Sequence, residues 1–393
     1  MLSNNKLKKE IPELKSFNIH TFEPYNNLAL NFLLEFSNKL KENKLIYKYP
    51  DLFHLIFWSK NKFNQLSNTK KNDLKLGRGT IFHLCPSNIP TNFIYSFFFG
   101  LISGNSNIVK IPSKKFKQKE IILNTIKKLF KKKKFKMFKN SNVFIEYDDK
   151  ILTEKISSVS DGRLIWGGDK KINDISKIWT PERSIDLKFA DRYSFSIFDV
   201  KKMKSLNKLD LLKIIKKFYI DSYSFGQAAC NSPHFVFWIG KNDKILKNKF
   251  WSLLNKTVSL KEFNDKDMFN KYTKLLEDIV YNKNFIKINK FSNKIYVINV
   301  NNKVKNIENI RGINGTFYQL NCSNLNSLNK YITKKCQTIS YYGFTKNDLE
   351  KFIKKNKPIG IDRIVPIGKS LDIDFHWDGY DCVEELSRYI KIE

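Results

Sequence analysis

The chain has little cysteine, and its cysteines are scattered. The 393 residues include five of them, Cys85, Cys230, Cys322, Cys336 and Cys382, which are far apart and odd in number. Such spacing argues against a disulfide framework and favours a reduced, cytoplasmic setting. No CxxC pair occurs and the five histidines are dispersed, so we predict no metal site.

Long apolar runs are also missing. The longest, around residues 93–102, is interrupted by Ser96 and Gly100. It is too short to span a bilayer and is typical of a core helix, so we expect no membrane span. The N-terminus lacks the apolar run of a signal peptide.

Acidic residues are few beside basic ones, 38 against 71, which gives a formal net charge of +33. Such a charge is typical of nucleic-acid-binding proteins, because lysine and arginine neutralise phosphates. Here the lysines are spread over nearly every polar segment, and neither a zinc-finger spacing nor an RNA-recognition signature occurs. We therefore expect no nucleic-acid partner, although a basic surface can still attract anionic substrates.

The chain does have enough apolar residues for a large core. Hydrophobic residues make up 41% and aromatic residues 14%, which excludes a disordered chain, and the length suggests two domains. Residues 1 to about 75 have helical patterns. From residue 79, short apolar strands alternate with amphipathic helices, which predicts a parallel sheet with crossover helices. A second region begins near Tyr193.

Local signals predict particular elements. Apolar periodicity predicts helices at about 117–130 and 265–281. Pro50 is expected to stop one segment, and Asp51 to cap a helix over residues 52–58. The polar stretch at 104–107 is interpreted as a turn, followed by a strand at 108–111.

Three loops follow predicted strands, at the carboxyl ends where parallel sheets gather ligands. In CPSNIP (85–90), Asn88 is either an oxyanion-hole amide or a turn residue that caps the next helix. In KIPSKK (110–115), Lys110 either binds a ribose or phosphate or is one more solvated lysine. WGGD (166–169) is either a phosphate-binding turn or a tight strand-to-helix turn.

A fourth segment, FGQAACNSPH (225–234), places Cys230 between a helical pattern at 205–218 and a strand pattern at 235–240. A thiolate is a strong nucleophile at neutral pH, and at such a junction its sulfur can face a cleft. A lone cysteine is more commonly a small buried hydrophobe. The order of amide, lysine, double glycine and cysteine is more informative than any one of these signals.

These segments, together with CQT (336–338), DRIVPIG (362–368) and WDG (377–379), resemble the acyl-CoA reductase family of bacterial luminescence systems, a branch of the aldehyde dehydrogenase superfamily. The resemblance runs in order from residue 79 to 389. It implies an α/β, aldehyde-dehydrogenase-like fold with a Rossmann-type cofactor domain and an α/β catalytic domain. The corresponding expectation is a helical N-terminal segment at 1–75, an NADP-binding domain at 76–192, a catalytic domain at 193–370 and a C-terminal segment at 371–393.

The resemblance also implies catalytic roles. Cys230 is similar to the family's nucleophile, and Asn88 to the superfamily's oxyanion-hole asparagine. Aldehyde-oxidising relatives carry a glutamate that activates water to hydrolyse the thioester. The matching region here is LKFAD (187–191), which puts Lys188 near that glutamate's place, with Asp191 as the alternative. Without that base, a Cys230 thioester should survive until it is reduced.

The cofactor roles follow in the same way. Lys110 matches a lysine that contacts the adenosine ribose, and Gly167 and Gly168 match the turn beside the cofactor pyrophosphate. Ser113 and Lys114 stand where NAD-preferring relatives have a glutamate. A cation there suits the 2′-phosphate of NADPH, whereas a carboxylate would repel it.

The implied reaction is NADPH-dependent reduction of an acyl thioester to an aldehyde through a Cys230 thioester. The donor would be an acyl-CoA or an acylated carrier protein, with an acyl-protein synthetase as a candidate partner, and a homo-oligomer is expected. Two alternatives remain open. One is an acyltransferase or thioesterase that uses the same cysteine without reduction, and the other is a basic nucleic-acid-binding protein with a degenerate site.

Overall fold

The computed structural model describes residues 14–67, 74–86, 89–259 and 264–393, and the chain divides into two units. The first unit runs to Ala190 and resumes with Ile373–Glu393, and the second is Asp191–Asp372. Each unit is built on a largely parallel sheet with helices, which confirms the predicted α/β class. Within the described ranges, no helix is both long and apolar enough to cross a membrane.

In the part of the chain that the structure describes, two α-helices precede the first sheet, α1 (Asn27–Lys41) and α2 (Pro50–Leu66). Pro50 occupies the first turn of α2, where a proline's missing N–H leaves no helical hydrogen bond unmade. Asp51 also lies in that turn, and the N-cap residue is Tyr49. The expectation that Asp51 caps the helix was therefore wrong, because the chain enters the helix one residue before the proline.

The alternating part of the first unit contains five strands of one sheet, the short strand β1 and five helices. Their bounds are β1 (Lys75–Gly77), β2 (Thr80–Leu84), α3 (Asn92–Ile102), β3 (Ser106–Lys110), α4 (Lys117–Phe130), α5 (Lys136–Ser141), β4 (Asn142–Ile145), α6 (Lys150–Ser157), β5 (Gly162–Trp166), α7 (Asp169–Ser176) and β6 (Ile185–Phe189).

The five strands β2 to β6 are all parallel, in the order β4-β3-β2-β5-β6. The chain moves outward from β2 through β3 and β4, then continues on the other side of β2 with β5 and β6. The strand order thus reverses between β2 and β5. Open α/β sheets bind ligands outside the carboxyl ends of the strands at such a reversal.

Strand β3 begins two residues before the predicted strand, within the stretch interpreted as a turn. The Asn107 amide donates to the Asn105 carbonyl at 2.9 Å and to the Asn142 Oδ1 at 2.7 Å, and its own Oδ1 lies 2.9 Å from His83 Nε2. A buried polar group is costly only when it lacks a partner. This network therefore allows a polar sequence to form a buried strand.

Apolar side chains cover both faces of this sheet. All eleven residues of α3 are buried, and α3 packs with α1, α2 and α4 in the main core of the unit. A smaller cluster that includes Phe82, Leu84 and Ile108 lies on the other face. The loops at the carboxyl ends of the strands are therefore held by a well-packed layer on each side.

The second unit alternates strands and helices around a seven-stranded sheet. Its elements are β7 (Tyr193–Asp199), α8 (Val200–Lys204), α9 (Lys208–Tyr223), β8 (Pro233–Ile239), α10 (Lys244–Thr257), α11 (Asp265–Tyr281), β9 (Phe285–Ser292), β10 (Ile295–Val300), β11 (Thr316–Cys322), β12 (Cys336–Tyr342), α12 (Lys346–Asn356) and β13 (Arg363–Pro366).

The strand order in this sheet is β13-β12-β7-β8-β11-β10-β9. Every neighbouring pair is parallel except β9 with β10. Side chains along β8 alternate between two cores, with Phe235 and Phe237 in one and Val236 and Trp238 in the other. Such alternation is what a strand buried on both faces requires.

The C-terminal segment returns to the first unit. It contains β14 (His376–Trp377), β15 (Tyr380–Asp381), α13 (Cys382–Glu385) and β16 (Ser387–Tyr389). Strand β16 pairs antiparallel with β1, and the Trp58 indole N–H donates to the Ile373 carbonyl at 2.6 Å. This segment therefore completes the core that α2 and α3 begin.

Candidate active site

The turn after α9 has an unusual backbone conformation. Gly226 and Gln227 have φ angles of 56° and 63°, both in the left-handed region. An added Cβ at Gly226 would lie 2.7 Å from the Asn314 Oδ1, so this position also leaves little room for a side chain. A left-handed glutamine costs about 1–2 kcal/mol, and such strain persists only where other contacts hold it.

The Gln227 side chain supplies those contacts. It is buried, its Nε2 donates to the carbonyls of Pro233 and Thr316 at 3.2 and 3.1 Å, and its Oε1 accepts from the Gly315 N–H at 2.8 Å. The side chain thus ties the turn to the first residues of β8 and β11. These bonds hold the segment that leads to Cys230 in a single conformation.

Cys230 itself is tied through its backbone. The Ser194 hydroxyl donates to the Cys230 carbonyl at 2.8 Å and accepts from the Thr338 N–H at 3.2 Å. The Cys230 residue is partly exposed. A cysteine that is held through its backbone and is partly exposed has a setting that suits a nucleophile.

The other four cysteines are buried. Burial raises the pKa of Cys85 and of Cys336 to about 12, and it also raises the pKa of Cys322 and Cys382. Buried thiols of this kind stay protonated at neutral pH and are poor nucleophiles. Exposure therefore singles out Cys230 among the five.

His234 lies four residues beyond Cys230 but is unsuited to act as its base. The side chain is buried, and its Nδ1 lies 2.8 Å from the Gly312 carbonyl, so Nδ1–H donates there. Burial and, to a lesser extent, the charge of Arg311 lower the pKa of His234 to about 3. The ring is neutral at pH 7 and helps to hold the loop before β11.

Cys230 lies three residues before the start of β8, so it is near the amino ends of the parallel strands of its sheet. The rule that ligands gather at carboxyl ends locates the loops of the first sheet but would not have located this cysteine. The combination of turn residues and a following strand was the signal that found it.

The second group of candidate residues lies at the carboxyl ends of the first sheet. Lys110 ends β3, with its ammonium 4.4 Å from the centre of the Tyr147 ring. Burial lowers the pKa of Lys110, and the negative charge of Asp148 partly opposes that effect. A half-buried cation at a strand end is a suitable partner for a phosphate or ribose.

Lys171 was not predicted, yet it joins this group. Its ammonium donates to the Cys85 carbonyl at 3.2 Å, so it connects the loop after β5 to the loop after β2. Burial lowers the pKa of Lys171, and the charge of the neighbouring Lys110 contributes in the same direction. Helical side chains tilt toward the helix N-terminus, so a lysine in the first turn of α7 was the available sequence signal.

The double glycine joins β5 to α7. Gly168 is the N-cap residue of α7, and as a glycine it has no side chain that could cap the first N–H groups of the helix. A Cβ added at Gly168 would meet no atom within 4 Å, whereas one at Gly167 would lie 2.8 Å from the Lys171 Cδ. The turn thus accommodates Lys171 on one side and leaves space beside the first N–H groups of α7, where phosphates bind.

A cleft of about 630 Å³ adjoins this turn, lined by Gly168, Asp169, Lys170, Lys171, Asp174 and Ile175. Its charged groups are of both signs. The lysines and the backbone N–H groups at the start of α7 are the donors that a pyrophosphate needs, so the residues present fit a dinucleotide's phosphates.

The loop after β3 carries the two remaining cofactor candidates. Ser113 and Lys114 are exposed, and the Lys114 ammonium lies 5.1 Å from the centre of the Phe116 ring. Lys119 fixes the loop, since its ammonium donates to the Pro112 carbonyl at 2.7 Å and pairs with Glu146 at 2.8 Å. The loop therefore presents a cation to solvent from a fixed backbone.

The remaining predicted residues are placed as follows. Asn88 lies outside the described residues. Lys188 is exposed on β6. Asp191 pairs with Arg311 at 3.0 Å and lies 3.9 Å from the Lys335 ammonium, so its carboxylate is engaged in ion pairs.

With these residues placed, comparison with known proteins identifies the family. The sequence profile of the acyl-CoA reductase (LuxC) family matches residues 61–389. The chain belongs to the acyl-CoA reductase (LuxC) family. The match covers most of the chain, and it confirms the resemblance drawn from the motifs. A search of curated proteins finds no match to this reductase.

Solved structures with the same fold include aldehyde dehydrogenases. An NAD-dependent benzaldehyde dehydrogenase from Corynebacterium glutamicum superposes with a TM-score of 0.63 at 10% identity, covering 98% of the reductase and 87% of the dehydrogenase. A glyceraldehyde-3-phosphate dehydrogenase from Methanocaldococcus jannaschii, complexed with NADP, gives 0.62 at 14% identity, with coverages of 98% and 93%. Likeness at such low identity shows the fold, which is the aldehyde dehydrogenase fold that we predicted.

The family and the fold together make this reductase an oxidoreductase that acts on acyl or aldehyde groups. The two groups of residues described above fit that chemistry. One group centres on a partly exposed cysteine that could carry an acyl group, and the other presents cations and a glycine turn that could hold a nicotinamide dinucleotide.

Proposed function

We propose that this reductase converts an acyl thioester to an aldehyde with NADPH as reductant, and that Cys230 carries the acyl group between the two half-reactions. The observation that carries the proposal is the setting of Cys230. It is partly exposed while the other four cysteines are buried, and it follows a turn that Gln227 and Ser194 hold in place.

In the first half-reaction the Cys230 thiolate attacks the carbonyl carbon of the acyl thioester. A new carbon–sulfur bond forms, and the bond to the carrier's sulfur breaks. The carrier leaves as a thiolate and takes up a proton from solvent. The acyl group is then bound to Cys230 as a thioester, with no net change in oxidation state.

The negative charge that develops on the acyl oxygen needs hydrogen-bond donors. The backbone N–H of Cys230 is one candidate, and the side-chain amide of Asn88 is the other. A donor of this kind contributes about 3–4 kcal/mol to transition-state stabilisation in other enzymes. Because Gln227 and Ser194 hold the backbone on both sides of Cys230, its N–H would be oriented before the substrate binds.

The Cys230 thioester must be reduced faster than it is hydrolysed. Hydrolysis in aldehyde-oxidising relatives depends on a glutamate, and near the matching place this chain has Lys188, with Asp191 as the alternative. An ammonium group has no lone pair with which to activate water. The thioester would therefore persist until its reduction, after which the sulfur of Cys230 leaves as a thiolate and the aldehyde is released.

The cofactor would be held by the cations and the glycine turn of the first unit. Lys110 would contact the adenosine ribose, Gly167 and Lys171 would flank the pyrophosphate, and Ser113 and Lys114 would receive the 2′-phosphate. When bound, NADPH supplies the hydride that reduces the acyl carbon. The positive charge of Lys114 favours NADPH over NADH, since only NADPH has a phosphate at that position.

The acyl donor would be an acyl-CoA or an acylated carrier protein. Family resemblance supports an acyl-protein synthetase as a partner and a homo-oligomeric assembly in the cytoplasm. The net charge of +33 would favour anionic donors of either kind through long-range attraction.

The test mixes the purified protein with NADPH and a panel of acyl-CoAs of different chain length, and follows NADPH oxidation and aldehyde together. We expect aldehyde and oxidised cofactor in equal amounts from the wild type. Cys230→Ser should abolish both, because an alcohol is a far weaker nucleophile at neutral pH. Cys322→Ala is the matched control, since it removes a buried thiol and should keep activity.

Aldehyde formation that survives Cys230→Ser would overturn the proposed thioester. Release of the carrier thiol without NADPH oxidation would instead support acyl transfer or hydrolysis at the same cysteine. The two outcomes are separated by measuring free thiol and aldehyde in the same samples.

A further inference from the structure

We propose that Asp221 is a positioning residue for Cys230: its carboxylate holds the segment that follows β13, and that segment holds the residue next to Cys230. This inference rests on the proposed function, because the role of Cys230 is itself a proposal. It adds a residue that none of the sequence motifs singled out.

Asp221 lies in the last turn of α9 and is fully buried. Its two carboxylate oxygens accept hydrogen bonds from two backbone N–H groups of one loop. Oδ2 accepts from the Gly368 N–H at 2.7 Å, and Oδ1 accepts from the Ser370 N–H at 3.1 Å. An ionised acceptor strengthens both of these bonds. Asp221 thus fixes the loop backbone at two points.

The loop in turn fixes the residue beside the nucleophile. The Asn231 amide donates to the Ser370 carbonyl at 2.6 Å, and Asn231 is buried and adjacent to Cys230. The Arg363 guanidinium donates to the same carbonyl at 3.1 Å and to the Asp372 carbonyl at 2.8 Å. Ser370 is therefore held at its N–H by Asp221 while its carbonyl holds Asn231.

A carboxylate suits this position because both of its oxygens face donors. A protonated acid, or an amide, presents a hydrogen-bond donor toward one of the two N–H groups, and two donors cannot bond to each other. Either change would release one end of the loop. The two hydrogen bonds that hold the loop therefore require the ionised form of Asp221.

The charges around Asp221 come from α9 and from the loop. Lys217 packs against Gly368, which has a φ of 90° and no room for a Cβ there. Asp372 adds negative charge, and Lys369 pairs with it at 3.0 Å. Burial, with a smaller contribution from Asp372, raises the pKa of Asp221 to about 6. Protonation of the Asp221 carboxylate is thus expected at mildly acidic pH.

The test compares Asp221→Asn with the wild type by the rate at which iodoacetamide alkylates Cys230. Mass spectrometry of the Cys230 peptide separates it from the four buried thiols. The asparagine variant imitates the protonated acid. Asp210→Asn is the matched control, because Asp210 is an exposed carboxylate on the same helix, paired with Lys213.

The informative quantity is the rate for Asp221→Asn divided by the wild-type rate at each pH. This ratio cancels the titration of the thiol itself. We expect a ratio near one at pH about 5, where the wild-type acid is protonated, and a fall of about tenfold by pH about 7, the loss expected from one charge-assisted hydrogen bond. The Asp210→Asn ratio should stay near one throughout.

A ratio for Asp221→Asn that does not change with pH would overturn the proposal, because a merely structural defect would lower the rate equally at all pH values. If this variant fails to fold, Asn231→Ala carries the test. That variant breaks the bond to Ser370 and should slow alkylation about tenfold at neutral pH. An unchanged rate for Asn231→Ala would also refute the inference.

Alkylation needs neither acyl donor nor NADPH, so failure of this inference differs from failure of the proposed function. A flat ratio together with Cys230-dependent aldehyde formation would refute only the role of Asp221. Aldehyde formation without Cys230, together with a pH-dependent ratio, would refute only the proposed reaction.

Discussion

Replacing Lys171 with methionine removes a charge at the start of α7 while keeping most of the side chain's length. In the structure this ammonium donates to the neutral Cys85 carbonyl at 3.2 Å, and Lys110 adds a second positive charge nearby. Burial lowers the pKa of Lys171, so its charge is costly in the protein alone and would be favoured by an anion. A dinucleotide pyrophosphate would supply that anion.

The expected size of the effect follows from the kind of bond. A hydrogen bond from a charged donor contributes about 1.5–3 kcal/mol, and about 1.4 kcal/mol corresponds to tenfold in affinity. Lys171→Met should therefore weaken NADPH binding by roughly 10- to 100-fold. NADH should weaken by a similar factor, since both cofactors share the pyrophosphate. The melting temperature should stay equal or rise, because a desolvated charge has been removed.

The assay titrates NADPH and NADH into the protein without an acyl donor and follows nucleotide fluorescence, so that it reports binding alone. Lys177→Met is the matched control, since Lys177 is an exposed lysine at the other end of α7. If the NADPH dissociation constants of Lys171→Met and Lys177→Met agree within about twofold, a difference well below one hydrogen bond, Lys171 has no role in cofactor binding.

Three further variants test the rest of the site. Lys114→Glu should lower the ratio of NADPH to NADH kcat/KM at least tenfold, because a carboxylate repels the 2′-phosphate. Lys115→Glu, an equal charge change one residue along, should leave the ratio nearly unchanged; equal ratios in both variants would contradict the assignment. Gln227→Glu should lower the stability of the folded protein more than Gln227→Ala does, since it places a carboxylate oxygen against two backbone carbonyls. Urea midpoints in the reverse order would refute this account. The pKa of His234 is lowered to about 3, below its unfolded value of about 6.5, so its contribution to stability is present above pH 6.5 and is lost as pH falls toward 3. The unfolding free energy of His234→Asn should therefore fall less in acid than that of the wild type, by up to about 5 kcal/mol. Urea midpoints that fall in parallel with pH for the wild type and the variant would contradict this expectation.

Apolar periodicity predicted the long helices well. The helices at Lys117–Phe130 and Asp265–Tyr281 have the bounds that their patterns indicated. Both are amphipathic over several turns, so the period of 3.6 is repeated often enough to be read. Strand β9 (Phe285–Ser292) was missed, because it is an edge strand in which half of the residues are polar and half are exposed, and its pairing with β10 defines it.

The polar stretch at 104–107 was interpreted as a turn, but the fold buries part of it in a strand and supplies hydrogen-bond partners for its side chains. Asn107 lies in a buried strand because Asn105, Asn142 and His83 provide its hydrogen bonds. The first two of these partners are asparagines and the third is a histidine from a neighbouring strand. No local pattern reveals Asn142 and His83 as partners, since they come from other parts of the chain.

The candidate site was predicted in part for the same reasons. Cys230, Lys110 and the double glycine could be found from local signals and from the order of motifs. Lys171 offered only its place in the first turn of α7 and Asp221 offered no local signal, because the importance of both residues lies in what they contact. One donates to a loop 86 residues away, and the other accepts from N–H groups 147 and 149 residues away.

The sequence by itself determined the alternation of strands and helices and the family, and it singled out the cysteine that we propose to carry the acyl group. These follow from periodicity, from residue types in a fixed order, and from chemistry that belongs to single side chains. The tertiary structure decided the rest. It buried four cysteines and left Cys230 accessible, joined the C-terminal segment to the first unit, and surrounded Asp221 with two N–H donors. Burial and hydrogen-bond partners depend on contacts between distant segments, and those contacts exist only in the folded chain.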